Sequence, residues 1–233
     1  MNYYISDMHL FCQSQTNDGP TNYDNRPFAN VEEMNAYMLE RWNQKINNGD
    51  TVYILGDMAF RGKNDALIAL VAQLRGKKVL LKGNHDDLTD YRFKQLFTEI
   101  CDYKELSENV DGKAYKLVLC HYPILMWNGQ HNGTILLYGH THNSVEDEFF
   151  KECIETMNQR EDLSLRRHGK EQIRAFNVGA MKSYMHYEPR TLKEILAAES
   201  CKEQGCMLPV GSPLRTCALS KADSSIPTKD LKH

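Results

Sequence analysis

Thr51-Val52-Tyr53-Ile54-Leu55-Gly56-Asp57 is a short apolar run that stops at a glycine and a carboxylate. Its β-branched and aromatic side chains and its abrupt turn predict a strand buried on both faces. The pattern recurs along the chain. YYIS at 3–6 leads into Asp7-Met8-His9, KVLLK at 78–82 into Gly83-Asn84-His85-Asp86, KLVLC at 116–120 into His121, and TILLY at 134–138 into Gly139-His140-Thr141-His142. Residues that follow strands share one rim of an α/β sheet, so groups distant in sequence can converge there.

The intervals between these runs support that architecture. Residues 31–47 read as a helix, with Asn30 as N-cap, Glu33 three positions on and Gly49 just past the end. A second helix is expected from about Asp65 to Leu74, with Leu67, Ile68, Leu70, Val71 and Leu74 on its apolar face, and a third from Asp90 to Phe97. Strand and helix alternate through this half, which predicts right-handed crossovers. Later strands follow one another more directly, so the second half of the sheet system is expected to be mixed or antiparallel, with IRAFNVG at 173–179 as a late strand.

Three segments stand outside that rhythm. The polar stretch CQSQTNDGPTNYDNRP at 12–27 is long for a connector and is expected to shape access to a site. Residues 146–172 are charged, with Phe149, Phe150, Cys153, Ile154 and Met157 at helical spacing. They read first as a surface helix packed on the body, and alternatively as a lid or homodimer contact. From Ala198 onward the composition turns polar, and a loosely packed tail is expected to follow a domain over 1–197.

Composition excludes several classes. With 41% hydrophobic and 25% charged residues the chain is ordinary for a globular protein, and no run approaches the roughly 18 apolar residues of a spanning helix. The start, MNYYISDMHLFC, lacks a basic segment followed by a long apolar one, so a cytoplasmic location without a secretory leader is expected. Seven cysteines without framework spacing read as reduced thiols, and Cys201, Cys206 and Cys217 lack the paired spacing of a zinc site. A net charge of −3 gives no basic surface for a long duplex nucleic acid, so small phosphate esters or nucleotides are the expected partners.

Taken singly, a DxH or HxH pair reads as a polar turn after a strand. The ordered set DxH, GD, GNHD, H and GHTH resembles the calcineurin-like metallophosphoesterase superfamily over about residues 1–197. That resemblance implies an α/β fold, a four-layer α/β/β/α sandwich of two mixed sheets flanked by helices. It implies a centre of two divalent transition-metal ions, one on Asp7, His9, Asp57 and His142 and the other on Asp57, Asn84, His121 and His140. A carboxylate has two oxygens, so Asp57 can bridge, and imidazoles favour Mn, Fe, Zn or Ni over Mg or Ca, with Mn the first choice for assays.

The expected chemistry is in-line attack of a metal-bridging hydroxide on phosphorus, with His85 as general acid and Asp86 favouring its protonated, oriented form. Asn84 limits negative charge where phosphate lands. Arg61, in Gly56-Asp57-Met58-Ala59-Phe60-Arg61-Gly62, resembles the phosphate-contacting arginine of the Ser/Thr phosphatases, although Phe60 replaces the acidic residue of their motif. His131, on the loop before GHTH, is a candidate substrate contact, and Trp127 reads as core packing ahead of base stacking. The expected activity is a phosphodiesterase or small-molecule phosphatase. The alternatives are a nuclease or dinucleotide hydrolase, and a non-catalytic metal-binding scaffold.

Overall fold

The computed structural model describes residues 1–59, 65–160 and 171–203, with side chains through 199. Two sheets of four strands each form its centre. The first contains β1 (Asn2–Ile5), β2 (Thr51–Ile54), β3 (Lys77–Leu81) and β4 (Glu99–Cys101), all parallel and joined in chain order. An antiparallel bridge from Tyr4 to Arg190 lies on the far side of β1 from β2. The second sheet contains β5 (Tyr103–Val110), β6 (Lys113–Cys120), β7 (Ile135–Tyr138) and β8 (Ala175–Asn177), and it is mixed: β5 pairs antiparallel with β6, and the others run parallel.

The alternation along β6 and β7 shows how the layers stack. Leu117, Leu119, Ile135 and Leu137 enter the main core with Ile5, Ile54 and Leu80 of the first sheet. Their neighbours Val118, Cys120, Leu136 and Tyr138 point the other way, onto Phe150, Ile154 and Met157 of α4 (Val145–Gln159). Both faces of the second sheet are therefore dry at β7 and the last half of β6, which explains why those runs are continuously apolar. Burial of one such side chain contributes about 1.5–3 kcal/mol.

On the first sheet, α1 (Val31–Lys45) buries Val31, Met34, Met38 and Trp42. The Asn30 side chain accepts from Glu33 N at 2.9 Å, and the Glu33 carboxylate accepts from Ala29 N at 2.6 Å, one residue before the cap. Helix α2 (Asp65–Gln73) buries Leu67, Leu70 and Val71. The third helix, α3 (Tyr91–Lys94), is shorter than its expected span, with Asp90 as its N-cap. Helix α4 occupies the first part of 146–172 as a helix packed on the body, while 161–170 lie outside the described residues. The last helix is α5 (Leu192–Glu203), and most of the expected tail, 204–233, likewise lies outside them. Among the described residues, no helix is long and apolar enough to cross a membrane.

Candidate metal centre

Three of the strands that open toward the common rim, β1, β2 and β7, end in turns of unusual backbone conformation. Asp7, His9, Asp57, His140 and His142 have φ of 51°, 49°, 51°, 71° and 51°. A non-glycine residue in the left-handed region costs roughly 1–3 kcal/mol and persists only where its surroundings enforce it. Close approach enforces it here. A Cβ at Gly56 would lie 2.5 Å from His121 Nδ1, one at Gly83 would lie 2.5 Å from Asp57 N, and one at Gly139 would lie 2.5 Å from Asp7 Oδ2. Only glycine lets these turns touch.

The turns bring the expected ligand atoms together. His9 Nε2 lies 3.0 Å from His142 Nε2, which is 3.6 Å from Asp7 Oδ1. Asn84 Oδ1 lies 3.1 Å from His121 Nε2 and 2.9 Å from His140 Nδ1. Asp57 stands between the two sets, its Oδ2 3.8 Å from His9 Nε2 and 3.5 Å from His121 Nε2. Asp7, His9 and His142 form one group able to hold a metal ion, and Asp57, His121 and His140 form another, the ligand atoms of each lying within 4.8 Å of one another.

The donor set itself asks for cations. His121 Nδ1 lies 2.7 Å from Leu55 O, which can only accept, so the ring proton sits there. In neutral His121 the Nε2 lone pair then faces Asn84 Oδ1 and Asp57 Oδ2, which are acceptors too. Acceptors aimed at acceptors are reconciled by a positive ion. Burial, assisted by Arg26 and the neighbouring imidazoles, pushes His9 well below its ordinary pKa, and burial also lowers His140, both of which favour the neutral ligating form. Burial pulls His142 down as well, but the hydrogen bond to Asp24 and the charge of Asp7 hold it above its ordinary value. Burial raises Asp7.

His85 sits at the edge of this cluster. Its backbone N–H donates to Asp57 Oδ1 at 2.9 Å, and its Nε2 lies 4.0 Å from Asp57 Oδ2, with the side chain 31% exposed. Asp86 accepts from the backbone N–H groups of Asp57, Met58 and Gly83 at 2.8–3.0 Å. Its carboxylate thus clamps the Gly56 turn to the Gly83 turn, a structural role that its position beside His85 in sequence did not suggest. Trp127 is buried and donates to Thr134 O, as core packing requires. His131 lies on the 3-10 turn Gln130–Asn132, outside the two groups of candidate ligands. Arg61 lies outside the described residues.

Two residues of the site gave no signal in the sequence. Asp24 accepts from His142 Nδ1 at 2.8 Å, and Arg26, fully buried, pairs with Asp24 at 3.0 Å and reaches the carbonyls of Asp7 and Met8. Both belong to the long loop over 12–27, whose length alone hinted at a place near the site.

Comparison with known proteins agrees with this geometry. An uncharacterized protein, MJ1445, of Methanocaldococcus jannaschii is 34% identical over 149 residues, covering 63% of this chain and 72% of that protein. The gene 66 protein of Mycobacterium phage D29 is 27% identical over 165 residues, covering 61% of this chain and 79% of its own. Among solved structures, the protein of unknown function AQ665 from Aquifex aeolicus shares the fold at a TM-score of 0.55 and 21% identity, over 85% of this chain and 98% of that one. The family model described as calcineurin-like phosphoesterase matches residues 3–197. The chain belongs to the calcineurin-like phosphoesterase family.

Proposed function

We propose that this protein hydrolyses phosphate esters at a two-metal centre, acting as a phosphodiesterase or small-molecule phosphatase. The observation that carries this reading is the placement of Asp57 Oδ2 within 3.8 Å of His9 and 3.5 Å of His121, so that one carboxylate serves both ligand groups. When bound, divalent cations supply electrostatic stabilisation of the phosphoryl oxygens and a water of lowered pKa.

The chain's own residues do the rest. Asp7, His9, Asp57 and His142 would hold one ion, and Asp57, Asn84, His121 and His140 the other. Asn84 presents a neutral oxygen, which keeps negative charge away from the arriving phosphate. His85, partly exposed beside Asp57, donates a proton to the leaving oxygen. Arg61 is a further phosphate contact in this reading, by the fit of a guanidinium to two phosphate oxygens. The net charge of −3 favours a small ester or nucleotide over a duplex substrate.

Purified protein supplied with Mn²⁺ should turn over bis-p-nitrophenyl phosphate or p-nitrophenyl phosphate, and no turnover of either above a metal-free control would overturn the proposal. His85→Ala should lower turnover by about 10²–10⁴ while the protein retains its metal. Loss of metal in that variant would contradict the role given to His85.

A further inference from the structure

We infer that Asp24 and Arg26 are positioning residues for one ion of the pair, the one held by Asp7, His9 and His142. The inference rests on the two-metal reading, and it concerns residues that do not touch the ion.

Asp24 lies with its side chain 1% exposed, and its two oxygens are 2.8 and 3.0 Å from His142 Nδ1. A carboxylate in that place takes the ring proton on Nδ1 and turns Nε2 inward, toward His9 Nε2. Arg26 completes the arrangement. Its Nε and Nη2 donate to Asp24 Oδ2 at 3.2 and 3.0 Å, Nη1 donates to Met8 O at 2.8 Å, and Nη2 also donates to Asp7 O at 2.8 Å. One planar guanidinium therefore fixes both the carboxylate behind His142 and the left-handed turn that carries Asp7 and His9.

Stability alone does not account for this pair. Desolvating both charges is costly, and apolar side chains of similar volume would fill the space as well. What apolar side chains could not do is donate to the carbonyls of Asp7 and Met8 and set the tautomer of His142. The loop that carries the pair is itself braced, because Arg26 N donates to Asn22 Oδ1 at 2.8 Å and Asn22 Nδ2 donates back to Arg26 O at 3.2 Å.

The other ligand group is built differently. His121 is oriented by Leu55 O, a carbonyl at the end of a core strand, so its direction does not depend on Asp24 or Arg26. A defect at Asp24 should therefore weaken one ion and spare the other.

Titration of the metal-free full-length protein with Mn²⁺ by calorimetry tests this, with EPR at the same metal concentrations to separate coupled from isolated ions. In Asp24→Asn one site should weaken by about 10–100-fold while the other keeps its affinity, and the coupled signal should give way to that of an isolated ion. Circular dichroism should match the wild type. Arg26→Lys, which cannot reach both carbonyls and Asp24 together, should weaken the same single site, and it decides the matter if the first variant does not fold. Two sites of unchanged affinity in a folded variant, equal weakening of both, or a wild type that binds fewer than two ions would overturn the inference. A wild type that binds two ions, shows the selective defect in Asp24→Asn and hydrolyses no phosphate ester would leave it standing and overturn only the proposed activity.

Discussion

Replacing Asp147 with alanine should cost about 3–5 kcal/mol of folding free energy, the range for opening a buried ion pair from one side. Its carboxylate, 2% exposed, accepts from Tyr138 OH at 3.0 Å, Thr141 Oγ1 at 3.0 Å, Asn177 Nδ2 at 2.8 Å and Lys182 Nζ at 2.9 Å, and it also meets Lys151. The individual bonds, at roughly 1.5–3 kcal/mol each, cannot simply be added, because they share one acceptor and the total would rival the stability of a whole domain. Lys182 and Asn177 also donate to His142 O, so the loss spreads into the turn that carries two candidate ligands. Urea denaturation at neutral pH measures the cost, and pH gives it a sign. Burial alone would raise this carboxyl, but Asn177, Lys151 and Lys182 hold it well below the usual carboxylate range. Its contribution is therefore complete above the unfolded value, about 4, and disappears as pH falls from there through the depressed folded value. The gap between wild type and variant should narrow accordingly in acid. A cost under about 1 kcal/mol, or a gap equal at neutral pH and at pH about 2.5, would refute the reasoning.

Gly83→Ala would place a methyl carbon 2.5 Å from Asp57 N and closer still to its carboxylate, so the turns must separate at a cost of about 1–3 kcal/mol and Mn²⁺ affinity should fall at least about tenfold; calorimetry showing wild-type affinity would sink this expectation. For Glu194, burial opposes a downward shift, but hydrogen bonds from Lys45 and Thr191 take its pKa from 4.5 to about 2. With 34% of the side chain exposed the benefit is discounted to about 1 kcal/mol, so Glu194→Gln should lower the urea midpoint at neutral pH and match the wild type near pH 2; a difference that persists there would contradict the assignment.

The rim was legible because the chemistry and the strand pattern coincide: each buried run is short and apolar, and each stops at residues able to bind metal. The N-cap of α1 was readable for the same local reason, but its other end was not: the helix stops at Lys45 with Ile46 as C-cap, two residues short of the expected 47. Strand β5 was not, since YKELSENV has few apolar side chains and its residues alternate between exposed and half-buried at the edge of its sheet. A signal was nonetheless present. Asp111-Gly112 is the two-residue loop between β5 and β6, with φ of 51° and 85°, as a tight hairpin turn demands. Asp24 and Arg26 were hidden for a deeper reason, because what makes them part of the site is the path of a loop, and neither spacing nor periodicity encodes that path. Asp86 was misleading by adjacency: it follows His85 in the chain, yet its oxygens turn back to the amides of Gly83, Asp57 and Met58.

The left-handed turns carry one more consequence, for the evolution of the scaffold. At His140, exposed and held at φ 71°, a glycine would adopt the same backbone at lower energy. The same substitution would remove a candidate ligand, so at this position relief of backbone strain and the ability to hold a metal ion are set against each other.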